Sequence, residues 1–278
     1  MLGTLLLWFG WYGFNAGSAV DIFSADKSLN LPVISASVVN STLAGSMGGI
    51  TALFVNLLLE ERLTGDPLYK LSGAMNGCLT GLVAVTGSCG LVEPWVAIII
   101  GTIAGLLYLL ASHLLMKFCI DDAVDAIPVH LAGGIWGVIA TGLFACPSQL
   151  KFWYGVSDES LVKHVGWFYS FSRGSGDFSL LACQLAGLAF ILAWTTAIML
   201  PFFFVLNYMG LFRSNALEEI VGLDVSYHGF TPRKLDRGEV SSGMLKDYRA
   251  KTGRKMYNLG IDFINEEADN EGLDRFAD

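Results

Sequence analysis

Charge is the scarce commodity in this sequence: Asp, Glu, Lys and Arg make up 15% of 278 residues, and mean hydropathy is positive at +0.54. Soluble globular chains carry more charge than this, so the membrane class is favoured before any motif is read. Polar helix faces of the kind a soluble helical domain needs are also missing. The five cysteines, Cys78, Cys89, Cys119, Cys146 and Cys183, are odd in number and never spaced C-x-x-C, so they read as small packing residues rather than a metal or disulfide framework. No basic stretch precedes the first apolar run, as a signal peptide requires. No nucleophile–base pair, metal spacing or phosphate loop points to an enzyme, and no cofactor or metal is expected. The net charge of −8 comes from loops and tail and argues against a nucleic-acid partner.

Six runs contain no Asp, Glu, Lys or Arg: Met1–Val20, Ser28–Leu59, Leu71–Val92, Pro94–Met116, Ala126–Leu150 and Phe178–Phe212. Each can hold the roughly 20 apolar residues of a bilayer-crossing helix. The expected fold is therefore an all-α integral membrane protein with six transmembrane helices over residues 1–212. A polar tail follows over 213–278, with ten Lys/Arg and thirteen Asp/Glu in 66 residues, partly disordered toward its acidic end. Small residues recur at helical spacing: Gly10, Gly13 and Gly17; Gly45, Gly48 and Gly49; Gly73, Gly77 and Gly81; Gly101 and Gly105. Such strips let helix backbones approach closely. Pro201 lies inside the last span, which predicts a kink or a strong tilt. Residues Lys151–Asp177 read as a polar, aromatic loop too short for a domain. Placing the tail in the cytoplasm puts Arg62, Lys70, Lys117 and Arg213 on that side, the positive-inside arrangement.

One stretch concentrates the chemistry: Asp121–Gly137, DDAVDAIPVHLAGGIWG. Its carboxylates are placed to cap a helix start and meet its positive dipole end. Asp122 and His130 are eight residues apart, about 12 Å of rise on a regular helix, so they cannot touch directly. That spacing gives Asp122 the helix mouth and His130 the bilayer interior. An ionisable side chain inside a span is costly, which makes function its default explanation. A neutral imidazole there keeps one donor and one acceptor nitrogen, suited to a proton relay or to lining a path for a small polar solute. The competing reading is a packing histidine bonded to a nearby carbonyl. In the first span, Phe14 and Ser18 share a face, where an aromatic ring and a hydroxyl can attract a cation; belt and packing roles fit them as well.

GTLLLWFGWYGFNAGSA in the first span, DDAVDAIPVHLAGGIWGVIATGLFA in the fifth and EEIVGLDVSYHG at Glu218–Gly229, in this order, resemble the ammonium transporter family that includes the Rhesus proteins. The resemblance implies a trimer in which each subunit has its own narrow pore for ammonium or ammonia, commonly in the plasma membrane. By motif, His130 matches a pore and proton-relay histidine, Phe14 a gate, and Ser18 an ammonium-binding vestibule serine. Leu7, Ala126 and Val129 fall near the pore wall, and Asp122 matches a structural acid. The tail residues Gly222, Asp224, Ser226 and His228 match a regulatory segment. Ser226 stands where some plant members carry a phosphorylatable threonine.

The family has about eleven spans, five of them repeated in inverted topology. The six spans here match the second repeat and the last helix. The first repeat has no counterpart, and with it go a partner histidine, a vestibule aspartate and tryptophan, and a second gating phenylalanine; no histidine precedes His113. Half a pore would present His130 and Ser18 to lipid. The expectation is a truncated form, from an incompletely predicted gene or a partial transcript of a full-length transporter, that does not conduct ammonium alone. The alternatives are an ammonium sensor signalling through its tail, or a half-transporter that assembles with or inhibits full-length subunits.

Overall fold

The computed structural model describes residues 1–18, 31–65, 69–154, 164–214, 219, 234–235 and 262–263. Eight α-helices and one π-helical turn run through them: α1 Leu2–Gly17, α2 Leu31–Thr64, α3 Leu71–Thr86, α4 Pro94–Lys117, the π-turn Ile127–Ala132 leading into α5 Gly133–Phe144, α6 Pro147–Tyr154, α7 Trp167–Ser172 and α8 Ser179–Tyr208. Two short strands, β1 Lys234–Leu235 and β2 Asp262–Phe263, pair in parallel, Lys234 opposite Asp262. The chain divides into two units, Met1–Ala193 and Trp194–Asp278.

Every charge-free run holds a helix. Four helical segments are long and apolar enough to cross a bilayer: Leu31–Arg62, Pro94–Lys117, Ile127–Phe144 and Ser179–Tyr208. Helices α1 and α3 are shorter, at 16 residues each. Helix α8 continues through Pro201. Two elements are additional to the six spans: α6 runs from the end of the Ala126–Leu150 stretch into the expected Lys151–Asp177 loop, and α7 lies within that loop. Pro147 opens α6, where a missing N–H costs nothing.

In the first unit α2 is the central helix, with α3 and α4 packed closely on it. Small residues make this possible. A Cβ on Gly81 of α3 would lie 2.2 Å from the Ala44 carbonyl oxygen of α2, and one on Gly101 of α4 would lie 2.3 Å from the same atom. The core around this crossing is Ala44, Ala84, Val85, Val96, Ala97, Ile100 and Ala140, all fully buried. The glycines of α1 contrast with these: a Cβ on Gly10, Gly13 or Gly17 would meet nothing within 4 Å. Their strip is open among the described residues.

Polar side chains lock one end of the bundle. Asn15 of α1 donates to Ser41 of α2 at 2.8 Å, and Trp11 donates to Thr86 of α3 at 2.8 Å. Asn40, fully buried, donates from Nδ2 to the Cys89 and Val92 carbonyls at 2.7 and 2.8 Å, tying α2 to the α3–α4 connection. Leaving a buried carbonyl unpaired costs about 1–3 kcal/mol. Asn40→Leu is therefore expected to lower the thermal unfolding midpoint in detergent clearly; an unchanged midpoint would show that this clamp is energetically idle.

Candidate functional site

The segment that carries His130 is not a regular helix from Asp121 onward, as the sequence spacing suggested. Residues 121–122 are irregular, 123–124 form a turn, Asp125 takes a left-handed backbone conformation with φ +56°, and helix begins at Ala126. A non-glycine residue at positive φ interrupts right-handed helix, so the 12 Å helical rise between Asp122 and His130 does not apply. Asp122 folds back instead. Its Oδ1 accepts from the Ala126 N–H at 2.8 Å and its Oδ2 from the Ile127 N–H at 2.7 Å. A carboxylate at that position satisfies two of the free donors at a helix start and meets the positive end of its dipole.

The π-turn follows immediately. Pro128, with no N–H to donate, lies within it. Turns of this kind occur frequently at functional sites. Pro128 and Val129 are buried, Val129 in a cluster with Ala52 of α2 and Tyr108 of α4. His130 and Ala126 are exposed on the surface of the chain, and among the described residues the His130 ring has no hydrogen-bond partner.

On α1, Leu7 and Phe14 come together, 52% and 61% exposed, along an open apolar groove of about 440 Å³ with Leu6, Gly10 and Trp11. Phe14 meets Trp11 edge-on, ring centroids 6.1 Å apart. Ser18 caps the same helix, its Oγ donating to the Phe14 carbonyl at 2.7 Å. His130 and Ala126 are not among the residues lining this groove. The tail positions Gly222, Asp224, Ser226 and His228 lie outside the described residues.

Two arrangements went unseen in the sequence. The first centres on Asp125, which sits in the quoted motif three residues after Asp122. Its Oδ2 accepts from Tyr108 Oη at 2.9 Å and Asn76 Nδ2 at 3.1 Å, and its Oδ1 from Ser112 Oγ at 3.1 Å. A cleft of about 270 Å³ opens there, with Asn56, Glu60, Lys70 and His113 set among apolar residues on its walls. The second is an aromatic groove of about 410 Å³ formed by Trp95, Phe144, Phe168 and Tyr169. Beside it Glu93 accepts from the Trp95 indole at 2.6 Å. Burial raises the Tyr169 phenol above its ordinary range, and nearby Cys146 and Glu93 add to the shift.

Long apolar helices, a backbone-tight glycine crossing and a span interrupted at an exposed histidine define a polytopic helical membrane protein. Residues 1–232 match the Ammonium Transporter Family, and the chain belongs to that family. It is 36% identical over 233 residues to Ammonium transporter 1 member 3 of Solanum lycopersicum, covering 82% of this chain and 48% of that protein. Ammonium transporter 3 of Dictyostelium discoideum is 35% identical over 229 residues, with the same shares covered. Similar solved structures include Saccharomyces cerevisiae Mep2, with 28% identity and a TM-score of 0.61 over 74% of this chain and 43% of that one. A second, described as a Sensor Amt Protein, has 29% identity and a TM-score of 0.61 over 81% and 48%. The chain spans about half the length of the curated relatives it matches.

Proposed function

We propose that residues 1–212 supply one side of a membrane pore for ammonium or ammonia, and that the pore is completed by a second set of helices. The carrying observation is the exposed His130, set on an irregular turn within a membrane-length apolar segment whose adjacent residues Pro128 and Val129 are buried. A polar ring facing outward there is costly in lipid but suited to a pore wall. In this reading His130 relays protons or lines the pore and Phe14 gates it. Ser18 binds ammonium in the vestibule, while Leu7 and Ala126 are wall residues and Val129 packs the turn against α2 and α4. Asp122 holds the turn as a structural acid. Residues 213–278 form a cytoplasmic tail, with Gly222, Asp224, Ser226 and His228 as its regulatory segment. The assembly is a trimer, of this chain or with longer family members, in the plasma membrane.

The test is uptake of labelled methylammonium in cells deficient in ammonium transport. A chimera in which residues 1–232 replace the matching region of the Solanum lycopersicum relative is expected to take it up, and the 278-residue chain alone is not. Robust uptake by the chain alone would refute the need for a second half. An inserted but inert chimera would refute conduction. The likeness to a Sensor Amt Protein supports a second reading, sensing; its signature would be saturable methylammonium binding by the chimera without uptake.

A further inference from the structure

We propose that Asp125 is the positioning residue of the His130 turn. The inference rests on the pore reading for its functional consequence and on geometry alone for the tie itself. Asp125 holds φ +56°, a conformation that is uncommon for a residue with a Cβ and that persists where surroundings over-determine it. The surroundings are visible: its carboxylate accepts three side-chain hydrogen bonds, from Asn76 on α3 and from Tyr108 and Ser112 on α4. Its own carbonyl accepts the Val129 N–H at 3.0 Å, one residue before His130. That backbone bond closes the start of the turn onto Asp125, which α3 and α4 hold through its carboxylate.

Tyr108 makes the coupling tighter. Its hydroxyl holds Asp125, while Tyr108 itself is buried in the cluster that contains Val129. Pro128 removes one backbone donor from the turn, so the local ladder is weaker there than in regular helix. A weakly laddered turn takes its direction from what anchors it. Asp122 caps the first N–H groups and, among the described residues, makes no hydrogen bond to another helix; Asp125 reaches across to α3 and α4.

Asp125→Gly separates backbone from carboxylate, because glycine adopts positive φ without strain but offers no acceptor. Asp125→Asn keeps an acceptor oxygen and tolerates the conformation. Tyr108→Phe removes one donor and keeps the ring. In the intact 278-residue chain in detergent, Asp125→Gly is expected to speed amide hydrogen exchange across 126–132 at least tenfold, with α2 and the Gly81–Gly101 crossing unchanged; Tyr108→Phe should do so to a smaller extent. In the chimera, Asp125→Gly should lower maximal methylammonium uptake at least tenfold and alter its pH profile. Asp125→Asn should restore uptake partly, which a general loss of folding would not allow.

Unchanged exchange in 126–132 overturns the tie whatever the uptake. Faster exchange with wild-type uptake and pH profile overturns the link from the tie to His130 function. If the unmutated chimera takes up nothing, the pore reading fails and the exchange measurement alone decides whether Asp125 holds the turn.

Discussion

Alanine at Gly81 or Gly101 is expected to destabilise the bundle clearly, because the added methyl group meets backbone. Both positions face the Ala44 carbonyl oxygen, at 2.2 and 2.3 Å from where the Cβ would sit. The nearest comfortable carbon–oxygen approach is about 3.3 Å, so α2 must withdraw by roughly 1 Å. The obstacle is backbone, with no side chain to rotate aside. Overpacking of this kind costs about 1–3 kcal/mol. Alanine regains up to about 1 kcal/mol of helix propensity over glycine, which offsets only part of that. A fall of several degrees in the thermal midpoint in detergent follows for each variant. Because both methyl groups press on one carbonyl, a withdrawal of α2 relieves both, so the double variant should cost less than the sum of the two. Gly10→Ala and Gly13→Ala, with open space at their Cβ positions, are the controls. A midpoint unchanged in Gly81→Ala and Gly101→Ala would mean that the helices do not meet as closely as described.

The glycine spacing pointed to this crossing, since Gly77, Gly81, Gly101 and Gly105 recur at helix-facing intervals. It did not indicate that the α1 strip would be left open, because one strip in a sequence carries no record of its partner. The six helices were legible because a bilayer demands long apolar runs. Asn15, Asn40 and Asn76 were hidden by the same criterion: a search for runs without charge passes over amides. Yet each makes a contact that organises the bundle. Asp125 was in plain view beside Asp122. Its importance depends on Asn76, Tyr108 and Ser112, 49, 17 and 13 residues away, and such a meeting exists only after α3 and α4 have packed. The turn geometry was lost for a related reason. An i to i+8 estimate assumes continuous helix, whereas a positive φ at Asp125 and the π-turn after it break that assumption.

Removing the His130 imidazole is expected to abolish methylammonium uptake by the chimera, or cut it more than tenfold, while leaving stability nearly untouched. The side chain is exposed on this chain and hydrogen-bonded to none of its described residues, so His130→Ala breaks no hydrogen bond among them and opens no buried cavity. Substitutions of that kind usually change stability by no more than about 0.5 kcal/mol. The adjacent residue should behave in the opposite way. Val129 is 2% exposed and packs with Ala52 and Tyr108, so Val129→Ala opens a gap in a close-packed interface and lowers the thermal midpoint. Its effect on uptake should track the amount of folded protein. The pair therefore distinguishes a pore residue from a packing residue at consecutive positions. If His130→Ala lowers the midpoint as much as Val129→Ala and uptake falls only with protein level, His130 is a packing histidine. If uptake persists at the wild-type rate with the wild-type pH profile, neither relay nor pore lining can be its role.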